Sequence, residues 1–405
     1  MKRVAEALER RCGREEPGAA VRLLSRGAEE LARVFKEHVL QAVIDGAVRR
    51  ALGKARGPRR QALTPWGCER CGPRRGDELR RNGHYLRRPL TCEGMITLRI
   101  PQLVCLGCGR GVAFSHPLLP RRQRLWLDLQ QRLAVLYLEG ASYRASRRIL
   151  ERSTRTKLGL MSLWRCLQAV AQSRHAPASR PPALYLGVDE VYHKVRGQPY
   201  WFLTVRAQAA DGSKHYVGSI LSADRSQQAW EQALNGLGVS RYNPPFAVLS
   251  DGDRAIEEAL RTCLPGVRLF RCTWHIKHNA AEWVRERFPR TEDEGTRRGL
   301  AAAVDVIVDA PTIPQRGASL AELETAHPWL TRLLRQALDR VPPKDAEHPV
   351  RTNNLMERGF RELRRRTRPM DGFKSTLGAS NFHTLWMLKE NARSNRRDYL
   401  PELIP

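Results

Sequence analysis

Two short apolar runs in the C-terminal half of the chain each end in a carboxylate. Residues 184–189 read Leu-Tyr-Leu-Gly-Val-Asp, and residues 246–251 read Phe-Ala-Val-Leu-Ser-Asp. Apolar runs of this length that end at a turn signal are typical of buried strands, because helices need longer periodic segments. The pattern therefore predicts two core strands that lead into Asp189 and Asp251.

Further strand candidates surround these two and are separated by turns and helical stretches. The five predicted strands cover residues 184–192, 200–207, 214–222, 246–250 and 267–272. Turns at 197–199 and 211–213 join the first three strands, and helical runs follow the third and the fourth. A meander followed by helix, strand, helix and strand predicts an α/β fold with a mixed sheet. This is the element order of an RNase H-like core.

An RNase H-like core needs one more helix, and residues 352–366 supply it. The segment before this helix, residues 276–345, contains four helix-prone runs that end at Pro342 and Pro343. A structureless loop of that length is not expected inside a domain. We therefore predict a catalytic domain at 183–395 with an all-helical insertion at about 280–345.

The N-terminal part of the chain shows helical periodicity. Residues 1–60 are basic and helix-prone, and their apolar stripe predicts packing or self-association rather than chemistry. The stripe comprises Leu31, Val34, Phe35, Val39, Val43 and Ala47.

Residues 119–175 predict three helices, the second capped by Ser142 and the third by Ser162. We interpret them as a helix-turn-helix in which Arg165 contacts DNA, with a generic three-helix bundle as the alternative.

Two Cys-x-x-Cys pairs lie between these helical regions. Four of the nine cysteines form the pairs, and a glycine follows each pair. A Cys-x-x-Cys turn presents two thiolates on one side of a tetrahedron, so two turns complete a zinc site. Residues 61–118 are therefore predicted to form a zinc ribbon whose Zn²⁺ is structural, since four thiolates leave no open position for catalysis. The predicted ligands are Cys68, Cys71, Cys105 and Cys108.

The charge of the chain narrows the class of partner. The 405 residues carry a formal net charge of +28. An excess of this size indicates a polyanionic partner, and nucleic acid is the first candidate. A basic membrane-surface protein is the rival interpretation, but no run approaches the ~18 continuous apolar residues of a membrane span. Because no segment resembles a signal peptide, we expect a cytoplasmic, nucleoid-associated protein.

Three carboxylates are predicted to form the reactive site. Asp189 and Asp251 end neighbouring strands, and Glu357 lies on the helix that completes the core. Oxygen ligands suit Mg²⁺ or Mn²⁺, and two such ions clamp the attacking and leaving oxygens of a phosphodiester. The predicted chemistry is therefore metal-dependent cleavage of DNA, in which a DNA 3′-hydroxyl can replace water as the nucleophile.

Each carboxylate also has a simpler interpretation. Asp189 could be a surface residue at a strand end, with Glu190 as the ligand instead. Asp251 could simply start a turn with the glycine that follows it, and Asp253 could be only a helix N-cap. If Asn354 is the N-cap of its helix, Glu357 stands at the third helical position and could close a capping box instead. The convergence of three acids on one predicted edge favours the catalytic interpretation.

The helix that carries Glu357 also carries many arginines. Those at three- and four-residue steps share one face of the helix. A basic face beside an acidic pocket suits a DNA backbone that approaches cation-loaded carboxylates, and such contacts position the duplex without reading its sequence. A solvated charged face is the alternative. The arginines are Arg358, Arg361, Arg364, Arg365, Arg366 and Arg368.

Several motifs of the C-terminal half occur together in a distinctive order. They are Asp189 to Arg196, Ser250-Asp251-Gly252, Cys272-Thr-Trp-His275 and Thr352 to Arg358. This set resembles the Mutator-like DDE transposases of bacterial insertion sequences over about residues 183–390. The resemblance implies that Asp189, Asp251 and Glu357 form the catalytic triad of an RNase H-like fold with a helical insertion.

Cys272 and His275 fall on the Cys-x-x-His signature of that family, which lies next to the active site. Two ligands alone make a poor zinc site. We assign both residues an auxiliary role, supporting the acids or positioning DNA, with core packing as the alternative. The glutamine that often precedes this cysteine is absent, since Leu269, Phe270 and Arg271 stand there. The subgroup within the family therefore stays open.

The leading prediction is a transposase that cleaves at the ends of its own element and joins them to target DNA. Its partners are then terminal inverted repeats and target DNA, and the pairing of two ends implies a homodimer or a larger assembly. A non-catalytic DNA-binding regulator and an RNase H-like nuclease without strand transfer are the alternatives. No Gly-x4-Gly-Lys-Ser/Thr motif occurs, so we do not expect ATP dependence.

Overall fold

A computed structural model describes residues 17–52, 63–119, 123–174, 183–239, 245–341, 344, 350–370 and 372–403. Parts of the predicted helical region at 1–60, and Pro342 and Pro343, lie outside these ranges. One compact unit ends at Val170, and a second runs from Ala171 to Leu403. Within the described ranges, no helix combines the length and the apolar character that a membrane crossing requires.

The first unit begins with helix α1 (Pro17–Leu52), which packs on a set of short strands. Leu40, Ile44 and Val48 of α1 are buried in one core with these strands. The predicted stripe is not the face that packs here, because the buried face is rotated by one residue, or about 100°, leaving Leu31 and Phe35 58% and 71% exposed. The other role predicted for the stripe, self-association, stays a prediction. The strands are β1 (Leu63–Cys68), β2 (Gly72–Arg75), β3 (Leu79–Arg87), β4 (Leu90–Thr91), β5 (Gly94–Met95), β6 (Leu98–Cys105) and β7 (Gly111–Val112).

Three helices follow the strands of the first unit. They are α2 (Leu127–Leu138), α3 (Tyr143–Thr154) and α4 (Leu160–Gln172). Ser142 caps α3 as predicted, since its side chain accepts a hydrogen bond from the Ala145 N–H at 3.2 Å. The predicted cap at Ser162 is wrong, because α4 already begins at Leu160.

The second unit is built on one mixed five-stranded sheet. Its strands are β8 (Ala183–Val195), β9 (Gln198–Ala209), β10 (Lys214–Ser222), β11 (Ala247–Ser250) and β12 (Arg268–Arg271). They lie in the order β10-β9-β8-β11-β12, in which β8 to β10 are antiparallel and β8, β11 and β12 are parallel. The predicted α/β architecture with a mixed sheet is confirmed.

Two helices cover one face of this sheet, and four more form a cluster beside it. Helices α5 (Gln227–Gly236) and α6 (Arg254–Cys263) share a core with Leu186 and Val188 of β8. The cluster has its own buried core, to which Val304, Leu330 and Leu334 contribute. It comprises α7 (Thr273–Arg287), α8 (Glu294–Val308), α9 (Ile313–Ala326) and α10 (Pro328–Leu338).

Helices α11 (Asn354–Thr367) and α12 (Thr376–Ser394) pack against β8 and β10. Side chains of successive strand residues point to opposite faces. Gly187, between Leu186 and Val188, therefore faces away from α5 and α6, and it meets Met356 of α11. The sheet is thus covered on both faces, and α11 reaches it over a glycine.

Side chains of α12 hydrogen-bond to the backbone of β10, the edge strand. Asn391 accepts from the Tyr216 N–H at 2.5 Å and donates to the Tyr216 carbonyl at 3.4 Å. Asn395 likewise accepts from the Lys214 N–H at 3.1 Å and donates to the Lys214 carbonyl at 2.6 Å. Four residues advance about 6 Å along a helix and two residues about 6.8 Å along a strand, so the two spacings match. These amides satisfy groups that an edge strand otherwise exposes.

Candidate active site

Asp189 and Asp251 lie at the same edge of the sheet. Strands β8 and β11 are parallel neighbours in which Gly187 pairs with Leu249. Each aspartate follows its member of this pair by two residues, so the two occupy equivalent positions on neighbouring strands. Asp251 lies just past the end of β11, whereas the predicted strand end at Asp189 is wrong, because β8 continues to Val195 and pairs Asp189 with β9. Gly252, directly after Asp251, has a φ of 92°, a conformation that favours glycine.

Glu357 approaches this edge from the first turns of α11. The helix begins at Asn354 and its N-cap is Asn353, so Glu357 is the fourth helical residue rather than the third. The capping box considered for Glu357 does not form in this described segment, because the Asn353 side chain makes no capping bond. The approach is close, since a Cβ on Gly187 would lie 2.5 Å from Asn353 Oδ1. Glycine at this strand position therefore lets the helix carrying Glu357 dock.

Asp189 and Glu357 meet at the ring of His275. One ligand atom from each of the three residues lies within 4.8 Å of the others. The Nε2 atom of His275 is 3.2 Å from Glu357 Oε1. Asp251 lies outside this group, although its charge acts on Asp189. The structure thus brings two of the predicted carboxylates together with the auxiliary histidine and leaves Asp251 beside them.

The three grouped residues shift one another's protonation. Burial raises the pKa of Asp189 well above its ordinary value, and the charge of Glu357 raises it further. Burial also raises the pKa of Glu357. Hydrogen bonds with His275 and Asp189 have the larger, opposite effect, so the pKa of Glu357 is lowered on balance. Burial opposes protonation of His275, yet Cys272 and Glu357 raise its pKa to about 10. Without a cation, Asp189 therefore retains a proton more readily, and His275 and Glu357 form an ion pair.

The donor set at this edge fits a divalent cation. Oδ1 of Asp189 accepts the Glu190 N–H at 2.8 Å, whereas Oδ2 is buried without a hydrogen-bond partner in the described part of the chain. A buried polar atom without a partner calls for an explanation such as an ion. A cation would pair Oδ2 and hold Asp189 ionised. Carboxylate oxygens are ligands that suit Mg²⁺ or Mn²⁺.

A buried amide links the segments that carry these residues. Asn353 is 6% exposed, and its Nδ2 donates to the carbonyls of Val188 at 3.2 Å and Leu249 at 3.4 Å. Its backbone N–H donates to Cys272 Sγ at 3.2 Å. One residue thus joins β8, β11 and α11 where the parallel pairing of β8 with β11 ends, next to Asp189 and Asp251. In the sequence, Asn353 stands out only as part of the motif at Thr352 to Arg358, because nothing local indicates where its amide points.

Other polar residues near the site have partners of their own. Glu190 forms an ion pair with Arg225 at 2.8 Å. Asp253 caps α6, since its side chain accepts the Ala255 N–H at 2.8 Å. Cys272 is fully buried, and its N–H donates to the Ser250 carbonyl at 2.8 Å. Cys272 therefore connects β11 to α7 and, through its sulfur, to Asn353.

Arginines of α11 form an exposed surface next to Glu357. Arg364 is 56% exposed, and its Nη2 lies 3.8 Å from Glu357 Oε2. Arg366 differs from the others because its guanidinium lies over the Phe382 ring and it is only half-exposed. The exposed members of the predicted set are Arg358, Arg361, Arg364, Arg365 and Arg368. Most of the predicted basic face is therefore open to solvent.

The four cysteines of the two Cys-x-x-Cys pairs converge in the first unit. The four sulfur atoms all lie within 4.8 Å of one another, and those of Cys68 and Cys108 are 3.5 Å apart. Cys71 and Cys105 complete the group. This arrangement of four thiols fits a tetrahedral ion. In the same unit, Arg165 is exposed on α4.

Comparison with known proteins identifies relatives over most of the chain. A sequence model described as "Transposase, Mutator family" matches residues 24–393. The transposase for insertion sequence element ISRM5 of Rhizobium meliloti is 27% identical over 367 residues, which cover 86% of this chain and 84% of the relative. The transposase for insertion sequence element IS406 of Burkholderia multivorans is 27% identical over 304 residues, covering 71% and 75%.

A more distant relative is the transposase for insertion sequence element IS256 in transposon Tn4001 of Staphylococcus aureus. It is 23% identical over 327 residues, which cover 75% of this chain and 79% of the relative. The family match spans both compact units and all three carboxylates. This chain belongs to the Mutator family of transposases.

Proposed function

We propose that this transposase cleaves DNA at the ends of an insertion sequence and transfers the strands to target DNA. In this proposal Asp189, Asp251 and Glu357 form a DDE site on an RNase H-like core. The observation that carries it is the grouping of Asp189 and Glu357 with His275 beside Asp251, where the parallel pairing of β8 with β11 ends. Acids from three separate segments converge there, which a structural role does not require.

The proposed reaction has two steps at phosphorus. In the first, the oxygen of water bonds to phosphorus and the bond from phosphorus to the 3′ oxygen breaks; a proton of the water passes through solvent to the departing 3′ oxygen, leaving a 3′-hydroxyl and a 5′-phosphate. In the second, that 3′-hydroxyl oxygen bonds to a target phosphorus, and the target's own 3′ oxygen leaves with a proton. One phosphodiester replaces another in the second step, so no nucleotide cofactor is needed.

The proposed roles of the residues follow from their positions. Asp189, Asp251 and Glu357 would hold Mg²⁺ or Mn²⁺, which activate the attacking oxygen and neutralise charge on both sides of phosphorus. His275 would orient Glu357, since its Nε2 already lies 3.2 Å from that carboxylate. Cys272 and Asn353 would support this arrangement through the hydrogen bond between them.

The basic face of α11 would carry the DNA backbone into the site. Arg361, Arg364 and Arg368 follow Glu357 at helical steps that keep them on its face. They lie about 6, 10 and 16 Å along the axis from Glu357, given a rise of about 1.5 Å per residue. Arg358 and Arg365 broaden the face. Such contacts fix the register of the duplex without reading its sequence.

The first unit would recognise the ends of the element. We interpret its cysteine cluster as a zinc ribbon holding a structural Zn²⁺, and α2 to α4 as a helix-turn-helix. Arg165 would then contact DNA from the third of those helices, in the manner of a recognition helix. Terminal inverted repeats come in pairs, so a homodimer or larger assembly would hold two ends together. The activity is expected in the cytoplasm, at the nucleoid.

Nicking of supercoiled plasmid with Mg²⁺ or Mn²⁺ tests the proposal. Wild type is expected to nick, and Asp251→Asn is expected to lose nicking while still binding the plasmid. Asp253→Asn is the matched control, because an asparagine still caps α6 and activity should be retained. Equal nicking by wild type and Asp251→Asn would refute the site.

A second assay separates transposition from the alternatives. A radiolabelled element end with its 3′-hydroxyl exposed is incubated with target plasmid and either metal. Joined product is expected for a transposase, whereas nicking without joining would indicate a nuclease. If wild type binds these ends but neither nicks nor joins them, the protein is a DNA-binding regulator.

A further inference from the structure

Trp274 is an exposed aromatic residue at the candidate active site, and none of the roles assigned above uses it. The chain has nine tryptophans. Trp274 is 38% exposed, whereas each of the others is buried or half-buried. An exposed indole keeps a large apolar surface in water, and aromatic and basic surfaces together are typical of nucleic-acid contacts. Its position therefore calls for a ligand.

The ring of Trp274 belongs to a short stack along α7. Its centroid is 5.1 Å from that of His278, with the planes 24° apart, so the two rings are stacked. The ring centroid of His275 lies 4.8 Å from that of Trp274, with the two planes at 83°. Stacking on His278 occupies one face of the indole, and the exposure of the residue indicates that the other face is accessible. A flat ligand can extend this stack.

The accessible face lies close to the reacting groups. His275 contacts both the Trp274 ring and the Glu357 carboxylate. A nucleotide that stacks on Trp274 would therefore lie within about one or two nucleotides of a phosphate held at the carboxylates. Arg364 adds positive charge beside Glu357 for the same backbone.

We propose that Trp274 is a stacking site for one unpaired base of the DNA strand that reacts. The inference rests on the proposed function, because it needs DNA at the carboxylates. A base within a duplex has both faces covered by its neighbours, so only a base that has left its stack can lie on the indole. Base–aromatic stacking accepts any base, and the site would therefore recognise a strand opening rather than a sequence.

Binding of two DNA probes tests the site. The probes are a 20-nucleotide single strand of mixed sequence and the same strand in a duplex, each measured by fluorescence anisotropy. All proteins carry Asp251→Asn, so that the strands stay uncut. Trp274→Ala is expected to weaken single-strand binding by roughly five- to hundred-fold while duplex affinity changes less than about two-fold. Trp274→Phe should recover most of the loss, because a ring remains.

Ile313→Ala is the matched control, since it removes an apolar side chain that is 69% exposed on α9. It should bind both probes like its parent. Equal binding of the single strand by the parent and Trp274→Ala would overturn the stacking site and point to a protein contact instead. Equal losses on both probes, or a Trp274→Phe variant as weak as Trp274→Ala, would also overturn it.

The outcome is separable from that of the proposed function. If wild type nicks plasmid and Asp251→Asn does not, but Trp274→Ala leaves single-strand binding unchanged, only the stacking site fails. If nicking is independent of Asp251 while Trp274→Ala selectively loses the single strand, the stacking site stands without the proposed catalytic site.

Discussion

The Asn353 amide acts at the scale of a single residue. Its side chain inserts between β8 and β11 and donates to a carbonyl of each strand. One carbonyl belongs to the residue directly before Asp189, and the other to the residue two positions before Asp251. Parallel strands that diverge, as β8 and β11 do here, leave such carbonyls without ladder partners. The amide satisfies them and at the same time begins the helix of Glu357. Stability and alignment of the acids therefore depend on the same side chain.

We expect Asn353→Ala to destabilise the protein by about 1–3 kcal/mol, because two buried carbonyls lose a donor. We also expect nicking to fall by about ten- to hundred-fold, since small displacements of reacting groups are costly. Urea unfolding measures the loss of stability, and the nicking assay measures the loss of activity. The metal concentration that gives half-maximal nicking should also rise. The neighbouring Asn354→Ala is the control. A stability loss with unchanged metal dependence would show that Asn353 does not align the acids.

His193 makes the fold sensitive to acid. Its ring is buried between Phe202 and Phe373, with Nε2 unpaired among the described residues. Burial, and secondarily the charge of Arg364, lower its pKa to about 4, below the ordinary 6.5. The stability that the neutral ring provides is present above pH 6.5 and is lost as pH falls through that value towards about 4, because the unfolded chain takes up the proton first.

His193→Phe should therefore lose less stability than wild type between pH 7 and pH 5. The difference is expected to be about 1–3 kcal/mol, as one pKa unit corresponds to about 1.4 kcal/mol. Urea unfolding at the two pH values measures it. Buried His383, whose pKa is also lowered by burial, should keep part of the acid sensitivity in the variant. Identical pH dependence in both proteins would contradict the role of His193.

At the scale of an element, α11 presents an acid and a basic surface along its length. Its first turns bring Glu357 to the sheet over Gly187, and its later turns expose arginines on the same side. A rigid helix keeps the distance between acid and arginines constant. Phosphates bound along the helix would therefore enter the site in a fixed register.

Each of Arg361→Gln and Arg368→Gln should weaken binding to all duplexes alike. Each lost phosphate contact should reduce the slope of log affinity against log salt concentration by about 0.9. Anisotropy titrations of a duplex over a series of KCl concentrations measure the slope. Arg254→Gln, on α6 with a side chain that is 90% exposed, is the control. An unchanged slope in both α11 variants would mean that this face is only solvated.

At the scale of the whole molecule, two compact units have different sources of stability. The second unit has large apolar cores on its sheet and in its helical cluster. The first has a core of short strands and α1 around the cysteine group. Small domains of this kind commonly depend on a metal, whose binding energy becomes folding energy.

Purified protein should contain one zinc ion per chain, and chelation or Cys105→Ser should unfold the first unit. A structural zinc site contributes on the order of 10 kcal/mol, more than such a core can replace. Metal analysis and limited proteolysis measure both effects, with the second unit expected to stay resistant. Cys263→Ser, in the second unit, is the control. Full protease resistance of the first unit after complete metal removal would contradict the prediction.

Periodicity predicted the elements wherever burial is periodic in the sequence. The five strands appear close to their predicted ranges, because apolar runs closed by Gly and Pro leave few alternatives. Faces and caps were less predictable. The buried face of α1 is offset by one residue, and α4 begins before Ser162, because packing partners distant in sequence decide between adjacent apolar stripes.

Local spacing encodes the groups available for chemistry: acids that follow short apolar runs, paired cysteines and a basic helix. Which of these groups meet depends on the tertiary fold. It brought His275 beside Asp189 and Glu357, gave Glu190 and Asp253 other partners, and set Asn353 between two strands. The physical reason is that spacing fixes which side of an element a residue occupies, whereas contacts between elements depend on packing of the whole core.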